Sequence, residues 1–474
     1  MSHRNLGWLL GVSAMAVLAL AVAYSVPTHA SWQKRGRDYE YQELFADVIH
    51  QVRSKYVQEL DADRERKLVE DMINGGLERL DPHSQFINAK EYKQFSKHSE
   101  GKFGGVGIQI GYDRQGRGQL QVISPMPGTP AYEAGVLAGD LITKIDGKST
   151  ENMRLSEAVD LIQGEPGQKV VLTVVHEGGK EPVDIPIVRA EIEVHAVMGD
   201  RRKADDPKEW ELFIDKENKI GYIRLVAFSR TAAAEMRKAV EQLEKDGARG
   251  LIIDLRNNPG GLLSAAVEIS DLFLTDGVIV STKGRNQHED VRRAKGPGTL
   301  MQPAEKYPIV VLINKYSASA SEIVAAALQD HKRAVVIGER SYGKGSVQNI
   351  IEMENHSSAL KLTTQSYWRP SGKNIHRFPD AKETDEWGVK PDPGFEVPMK
   401  DDERLEYMVW RSERDVVRGK NAGPKPEKPN KPKSDKPDKK PFEDRVMQKA
   451  LEYLRGEIKK LNAEGPTPFE LRNG

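Results

Sequence analysis

Two short polar segments hold residue types that could act together in nucleophilic catalysis. The first is residues 314–322, which lie between an apolar run and a helical pattern and contain three serines, Ser317, Ser319 and Ser321. A serine on such a strand-to-helix turn is exposed, and the amides at the helix N-terminus can stabilise an oxyanion. The residue pattern alone does not choose among the three serines, and Ser321 followed by Glu322 also fits an ordinary helix N-cap.

The second segment is residues 341–348, where Lys344 lies between two glycines. A serine hydroxyl is a weak nucleophile unless a base lies within hydrogen-bonding distance. Lysine can be that base when burial lowers its pKa enough to leave the amine neutral. Gln348, four residues further on, shares a face with Lys344 and could orient the amine without adding charge. The commoner role of a single lysine is that of an ordinary solvated residue.

A third segment, residues 103–108, is a glycine-rich turn that leads into a strand. Its backbone N–H groups could bind a carboxylate, and its strand could pair with an extended peptide. No Gly-Lys-Ser/Thr sequence closes the turn, which disfavours a phosphate site. The predicted peptide-binding residues are Gly104, Gly105, Val106, Gly107 and Ile108.

The surrounding sequence predicts the elements that position these segments. Apolar spacing predicts N-terminal helices at about 43–57 and 65–80, which could form a cap or a self-association arm. Residues 95–189 hold short β-rich runs, glycine turns and one helix at 155–162. From residue 219, apolar strands alternate with helices, which predicts a largely parallel α/β sheet. The predicted strands are residues 220–225, 251–255, 309–313 and 334–337, and the predicted helices are residues 232–245, 262–272 and 321–328.

The two ends of the chain have their own patterns. A basic start, an apolar run at residues 6–26 and the small residue Ala30 predict an export signal cleaved after Ala30, although the run is nearly long enough for an uncleaved membrane anchor. Residues 421–441 are rich in Lys and Pro, which predicts a disordered or extended linker. Apolar residues from Val446 to Leu461 recur at helical spacing and predict an amphipathic helix that docks on the protein or on a neighbouring subunit.

The composition excludes several classes of site. A chain of 474 residues favours two or three domains. Lys+Arg and Asp+Glu both number 71, so charge gives no argument for nucleic acid as the main partner. The absence of cysteine from the sequence excludes disulfides, thiolate metal sites and a cysteine nucleophile. The sequence also has no H-E-x-x-H pattern, which argues against a zinc metallopeptidase, and we expect neither a metal nor a cofactor.

Several motifs together resemble a known family. Residues 95–189 resemble a PDZ domain, because the glycine turn is followed at residues 131–142 by the pattern A-x-x-A-G-x-x-x-G-D-x-I. The chain as a whole, over residues 43–397, resembles the carboxyl-terminal processing (tail-specific) protease family. The motifs that carry this resemblance, in the family's order, are D-P-H-S at 81–84, the PDZ-like stretch, D-L-R-N-N-P-G-G at 254–261, S-A-S-A-S-E at 317–322, G-K-G-x-V-Q at 343–348 and G-V-K-P-D at 388–392.

This resemblance implies both a fold and a set of roles. The implied fold class is α/β, with a crotonase/ClpP-like protease core, an inserted and mainly β PDZ domain, and helical N- and C-terminal arms. It implies that Ser319 is the nucleophile, that Lys344 is the general base and that Gln348 positions the lysine. The implied oxyanion hole uses backbone N–H groups of Gly261, or its neighbour Gly260, and of Ala320.

The expected function is that of an exported serine endopeptidase, periplasmic or in the cell envelope, whose PDZ domain binds unstructured protein C-termini. Homo-oligomerisation and an adaptor protein are compatible with the sequence. The expected regions are a signal or anchor at 1–30, an N-terminal helical region at 38–94, a PDZ domain at 95–190, a protease core at 191–400, a linker at 421–441 and a C-terminal helix at 442–474.

Two alternatives remain open. One is a Ser/His/Asp hydrolase that uses His331, next to Asp330; the other is a non-enzymatic periplasmic scaffold in which only the PDZ domain is functional. The sequence also departs from the family pattern at two places. Residues 376–386 are longer than usual, which predicts an inserted surface loop. Lys315 and Tyr316 replace small residues, which would alter the wall of the pocket.

Overall fold

The computed structural model of the protein describes residues 29–99, 102–113, 118–285, 287–296, 299–420 and 442–463. The first 28 residues of the predicted export signal, the predicted linker at 421–441 and the C-terminal end of the chain lie outside these ranges. Within the ranges, no helix combines the length and the apolar character needed to cross a membrane. The chain divides into two compact units, Met1–Pro82 and His83–Gly474.

The first unit contains, in its described part, the helices α1 (His29–Lys55) and α2 (Ala62–Glu78). They overlap the two predicted helices at about 43–57 and 65–80, but each ends about two residues earlier and α1 begins well before residue 43. α2 begins after Asp61, whose side chain accepts a hydrogen bond from the Arg64 N–H at 2.8 Å, as an N-cap does. α1 leaves apolar side chains exposed at helical spacing, namely Tyr41, Leu44, Phe45 and Val48.

The second unit begins with β1 (Gln85–Ile87) and α3 (Ala89–Ser99) and continues into a small β domain. The elements of that domain are β2 (Lys102–Gly105), β3 (Ile108–Tyr112), β4 (Leu120–Pro125), α4 (Pro130–Glu133), β5 (Leu141–Ile145), β6 (Lys148–Ser149), α5 (Leu155–Ile162), β7 (Lys169–Val175), β8 (Val183–Val188) and β9 (Ala190–Glu193). The main sheet has the order β3–β4–β5–β7–β8, with β6 beside β5, while β2 pairs with β9. Alternate residues of β4 and β7 are buried, because one face of the sheet covers the domain core.

A larger α/β core follows. Its main sheet contains β10 (Val197–Met198), β13 (Phe213–Asp215), β14 (Ile220–Leu225), β15 (Gly250–Asp254), β18 (Ile309–Ile313) and β19 (Ala334–Gly338), and the short pair β11 (Arg201–Arg202) and β12 (Trp210–Glu211) lies apart from it. β14, β15, β18 and β19 are parallel. Their residues are buried on both faces, which explains why the sequence shows continuous apolar runs there.

Helices cover both faces of this sheet. One face packs against α6 (Ala232–Lys245), α7 (Leu263–Asp271) and α8 (Ala320–Asp330), and the other packs against α10 (Arg445–Ala463). α10 buries Val446, Ala450, Leu454 and Ile458, as the predicted amphipathic helix requires. The α/β core, the mainly β small domain and the helical termini confirm the predicted fold class.

A second sheet has the order β1–β21–β16–β17, with β20 beside β21. Its strands are β16 (Val278–Gly284), β17 (Gln287–Arg293), β20 (Ser346–Met353) and β21 (Ser358–Trp368), and a 3-10 turn lies at Ala304–Lys306. After α9 (Asp401–Asp415), the chain returns to the small β domain, where the Val417 N–H donates to Ser124 Oγ at 2.9 Å. The Ala138 N–H donates to Arg418 O at 3.0 Å, so this segment joins the small domain to the core.

Candidate active site

The three serines of residues 314–322 differ in what their hydroxyls bind. The Ser317 hydroxyl donates to Leu255 O at 2.8 Å, and the Ser321 hydroxyl donates to Asn258 O at 2.9 Å. The Ser319 hydroxyl donates to no residue that the structure describes. Ser319 caps α8 with φ 55° and ψ −114°, a left-handed conformation that is uncommon for a residue other than glycine. A strained residue of this kind at a strand-to-helix turn motivates a functional hypothesis.

The turn that follows β15 lies directly against Ser319. A methyl group placed on Gly260 would lie 2.9 Å from both Ser319 Cβ and Ala320 N. The Asn258 carbonyl also accepts a hydrogen bond from the Ala318 N–H at 3.1 Å. The structure therefore brings the D-L-R-N-N-P-G-G and S-A-S-A-S-E segments together at one edge of the parallel sheet.

The N–H groups predicted for an oxyanion hole differ in availability. The Gly260 N–H already donates to Asn258 Oδ1 at 2.9 Å, and Asn258 Nδ2 donates to Leu225 O at 2.7 Å. The N–H groups of Gly261 and Ala320 donate to no acceptor within the described ranges. Of the three predicted donors, only the Gly261 and Ala320 N–H groups are therefore available to a substrate oxygen in this conformation.

Glu322 links the turn at residues 314–319, the serine turn, to the turn at residues 339–345, the lysine turn. Its Oε2 accepts hydrogen bonds from the N–H groups of Ser319 and Lys344, each at 2.8 Å. Its Oε1 accepts from the Gly343 N–H at 2.6 Å and from the Ser341 hydroxyl at 2.5 Å. Burial raises the pKa of Glu322 to about 7, and the hydrogen bonds act in the opposite direction. One buried carboxylate thus fixes the backbone of both turns.

Lys344 is partly buried in the turn between β19 and β20. Burial is the main cause that lowers its pKa below the ordinary 10.5; the positive charge of Lys361 acts in the same direction, and Glu322 opposes both. Among the described residues, no hydrogen bond joins the Lys344 amine to Ser319 or to Gln348. The site therefore holds a lysine with a lowered pKa beside a strained serine, but without a hydrogen bond between their side chains.

Gln348 lies on β20, just after a bulge in its pairing with β21. Its side-chain amide donates to Ser346 Oγ at 2.8 Å and to Thr363 Oγ1 at 3.1 Å. In this conformation the Gln348 side chain therefore binds two hydroxyls rather than the lysine amine, although the spacing of the two residues suggested a shared face.

Comparison with known proteins relates this arrangement to a family. The model of peptidase family S41 matches residues 219–393, and a PDZ domain model matches residues 121–175. A carboxy-terminal-processing protease of Bartonella bacilliformis is 37% identical, with 97% of this chain and 97% of that protein covered. The chain belongs to peptidase family S41.

Two further relatives agree with this assignment. The carboxy-terminal processing protease CtpA of Bacillus subtilis is 35% identical, with 76% of this chain and 70% of that protein covered. The carboxyl-terminal-processing protease of Synechocystis is 34% identical, with 73% and 75% covered. The S41 chain is a serine-type endopeptidase with a PDZ domain, as its resemblance to the family predicted.

The predicted peptide-binding turn of this S41 protease lies at an open edge of the PDZ sheet. Gly104 and Gly105 end β2, Ile108 begins β3, and β3 is the outermost strand of its sheet. Between them, Val106 is buried and its carbonyl accepts from the Ala131 N–H at 2.9 Å. The five predicted residues therefore lie next to an edge of β3 that pairs with no strand in the described part of the chain.

A buried charge cluster supports the turn after β15, and sequence reasoning missed part of it. Arg256 donates to Asp254 Oδ2 at 2.6 Å and to Asp444 Oδ1 at 2.9 Å, and the Tyr222 hydroxyl donates to Asp254 Oδ2 at 2.9 Å. Burial alone would raise the pKa of Asp254, but the charge and hydrogen bonds of Arg256, together with the Tyr222 hydroxyl, lower it below its ordinary value. Asp444 gave no sequence signal, because it follows the Lys/Pro-rich segment and meets Arg256 only through the tertiary fold.

The structure places His331 away from the serine turn. It caps the C-terminal end of α8, whereas Ser319 caps the N-terminal end, and 11 helical residues separate the two ends by roughly 16 Å at 1.5 Å per residue. The His331 ring contacts Val278 O at 2.7 Å, and Asp330 pairs with Arg369. His331 therefore lies too far away to serve as the base for Ser319.

Proposed function

We propose that this S41 protease cleaves peptide bonds with a Ser/Lys dyad, in which Ser319 is the nucleophile and Lys344 is the general base. The observation that carries the proposal is the hydrogen bonding of Glu322, which holds the backbone N–H groups of both residues. A buried carboxylate shared in this way keeps the two turns in a fixed relation, which a nucleophile and its base require.

The hydroxyl contacts favour Ser319 over its two neighbours. Ser317 and Ser321 each donate to a backbone carbonyl, are fully buried and act as structural links. Ser319 retains 8% exposure and has no acceptor for its hydroxyl proton among the described residues. A hydroxyl without an acceptor can give its proton to a base when a substrate arrives.

The proposed reaction uses groups from the turns that hold Ser319, Lys344 and Gly261. The neutral Lys344 amine takes the hydroxyl proton of Ser319 as Oγ bonds to the substrate carbonyl carbon. The N–H groups of Gly261 and Ala320 stabilise the oxyanion of the tetrahedral intermediate. The C–N bond then breaks, the lysine protonates the leaving amine, and a water deprotonated by the same amine hydrolyses the acyl-enzyme.

The proposal requires a small adjustment of the site on substrate binding. Catalytic hydrogen bonds are often long or absent without substrate and form only in the complex. The Lys344 amine must approach Ser319, and Gln348 must turn from its two hydroxyl partners to orient the amine. Both movements involve side chains, while Glu322 keeps the backbones in place.

We also propose that the PDZ domain delivers protein C-termini. The Gly104–Ile108 turn supplies backbone N–H groups for a terminal carboxylate, and the open edge of β3 can pair with an extended tail. The matching test is binding of a labelled peptide with a free C-terminus against the same peptide with an amidated C-terminus. Equal affinities would show that the terminal carboxylate is not recognised.

Export and self-association remain part of the proposal. The N-terminal pattern favours export to the periplasm or cell envelope, and the exposed apolar face of α1 favours a homo-oligomer. An adaptor protein that delivers substrates is compatible with both. Fractionation of cells and light scattering of the purified chain test these two points separately.

The dyad is tested by trapping the acyl-enzyme. The purified protein is mixed with a peptide ester, quenched in acid and digested, and the modified residue is identified by mass spectrometry. We expect the acyl group on Ser319 in the wild type and no acylation in Ser319→Ala or Lys344→Ala. A scaffold without activity would give no adduct in any variant, and an adduct on another residue would refute the assignment.

A further inference from the structure

Residues 376–386, the segment that is longer than usual for the family, form a loop that closes on itself beside the lysine turn. The Gly388 N–H donates to Ile375 O at 2.8 Å, so the two ends of the loop meet. Trp387, at the end of the loop, is buried to 6% exposure. The base of the loop is therefore closed by a backbone hydrogen bond and packed by a buried aromatic side chain. These contacts indicate that the base of the loop is part of the folded core beside the lysine turn.

Two guanidinium groups hold Trp387 in place. The Arg340 guanidinium carbon lies 3.4 Å from the centroid of the Trp387 ring, and that of Arg377 lies 4.4 Å away. Arg340 also donates to the carbonyls of Glu383 at 2.7 Å and Trp387 at 2.8 Å. Stacking of guanidinium groups on an indole ring is favourable, particularly where water is excluded. Arg340 precedes the lysine turn in the chain, so the loop and the turn share this anchor.

The loop contacts the residues on both sides of Lys344. A methyl group on Gly343 would lie 2.7 Å from Arg377 Cβ and 2.9 Å from Trp387 Cε3, and the Arg377 N–H donates to Gly343 O at 2.8 Å. A methyl group on Gly345 would overlap the backbone N of His376. Both glycines are thus needed for close packing, and the lysine turn is held both by the loop and by the hydrogen bonds to Glu322.

We propose that Trp387 is a positioning residue for Lys344, which acts by fixing the backbone at Gly343 so that the lysine amine can reach Ser319. This inference rests on the proposed dyad. Its physical basis is that a displacement of about 1 Å at a catalytic group can reduce the rate by about 100-fold. The charged groups that act on the lysine are Glu322 on α8 and Lys361 on β21, and Arg377 of the loop lies over the Trp387 ring and against Gly343.

Loosening this contact should change two separate quantities. The lysine amine would be placed less accurately, which lowers kcat without changing substrate binding and therefore leaves KM unaltered. The turn would also admit water around the amine, which favours its charged form. The acid limb of the kcat profile then moves to higher pH. A variant that was only less stable would keep the wild-type kcat and the wild-type pH profile in the molecules that remain folded.

The test measures cleavage of an unstructured reporter by the full chain carrying Trp387→Leu or Trp387→Phe. Trp210→Leu is the matched control, because Trp210 also has a guanidinium over its ring, that of Arg202 at 3.8 Å, and lies in a hairpin outside the site. All variants are assayed below their unfolding temperatures. For Trp387→Leu we expect kcat to fall about tenfold or more, with KM unchanged and the acid limb higher by about half a pH unit. Trp387→Phe, whose single ring is smaller than the indole, should show a smaller change in the same direction.

Two outcomes separate the inference from the proposed function. If Lys344→Ala cleaves the reporter normally, the dyad itself is wrong and the role of Trp387 falls with it. If Lys344→Ala is inactive while both Trp387 variants keep the wild-type kcat and acid limb, the dyad stands and the inference is overturned. If Trp387→Leu does not fold, the Trp387→Phe profile decides alone, since an unchanged acid limb and kcat there would also refute the positioning role.

Discussion

The backbone N–H groups of Ser319 and Lys344 donate hydrogen bonds to the same atom, Oε2 of Glu322, each at 2.8 Å. The serine precedes α8 and the lysine follows β19, so their turns come from different parts of the core. A shared acceptor fixes the distance between the two turns even though their side chains are not hydrogen-bonded. The geometry of the proposed dyad therefore depends on a third residue that takes no part in the chemistry.

Replacement of Glu322 by Gln tests this dependence. Gln retains the shape but replaces one acceptor oxygen with an N–H donor, which would face N–H or O–H donors at a fully buried position. We expect kcat to fall at least tenfold and the free energy of unfolding to fall by about 1–3 kcal/mol. Glu268→Gln, on the exposed side of α7, is the control and should change neither value. Reporter cleavage measures kcat, and urea denaturation measures the free energy of unfolding. A wild-type kcat in Glu322→Gln would show that the dyad geometry does not depend on Glu322.

The pH dependence of kcat should report the lowered pKa of Lys344. Activity requires the neutral amine, so kcat should rise with pH and level off at a pH below the ordinary lysine pKa of 10.5. Lys361→Gln removes a positive charge that lowers this pKa, so Lys344 should hold its proton more tightly and the acid limb should move to higher pH. Lys238→Gln, on the exposed face of α6, should leave the limb in place. A shift to lower pH in Lys361→Gln would show that the electrostatic assignment is wrong.

Asn258 should matter for the rate although it makes no proposed contact with substrate. Its side chain binds the Gly260 N–H and the Leu225 carbonyl, and this holds the turn that presents the Gly261 N–H. We expect Asn258→Ala to lower kcat by about 10–100-fold with a small change in KM, because an oxyanion donor would be misplaced. Asn218→Ala, in a turn beside Asp215, is the control. Steady-state kinetics on the reporter distinguish the outcomes, and a rise in KM alone would argue against a role in the transition state.

The buried ion pair of Asp254 and Arg256 should be costly to break. Both side chains are almost fully buried, and removal of one charge leaves the other without its main partner. We expect Asp254→Asn to lower the free energy of unfolding by about 3–5 kcal/mol. The exposed pair Lys148–Glu157 is a matched control, and Glu157→Gln should have little effect. Chemical denaturation measures the free energy of unfolding of both variants. Equal stability of Asp254→Asn and Glu157→Gln would show that the buried ion pair does not stabilise the core.

Much of the fold could be predicted because its elements depend on local patterns. The helices Ala232–Lys245 and Leu155–Ile162 and the strand Ile309–Ile313 have the predicted bounds, since each is a periodic or continuous apolar run between clear breaks. The predicted α8 region was one or two residues shorter at each end than the observed helix. Helix ends are set by capping contacts, which the apolar pattern does not show.

The contacts that support the candidate active site could not be predicted from the sequence. The sequence pattern gave Glu322 only a place in the first turn of a helix, because its four donors come from turns that the tertiary fold brings together. Asp444 reaches Arg256 across 188 residues, and no local pattern indicates that contact. The segment at 376–386 is a largely exposed loop, as expected, but the packing of Trp387 at its base against Gly343 was not predicted. Residues that act through long-range contacts are the ones that local periodicity leaves out.

The Ser/Lys dyad is tested by comparing reporter cleavage by the wild type with that by Ser317→Ala, Ser319→Ala, Ser321→Ala and Lys344→Ala, all lacking residues 1–30 and all checked for folding. We expect Ser319→Ala and Lys344→Ala to lose all cleavage, and Ser317→Ala and Ser321→Ala to lose stability but retain cleavage. Normal cleavage by Lys344→Ala, or by Ser319→Ala, would contradict the Ser/Lys dyad.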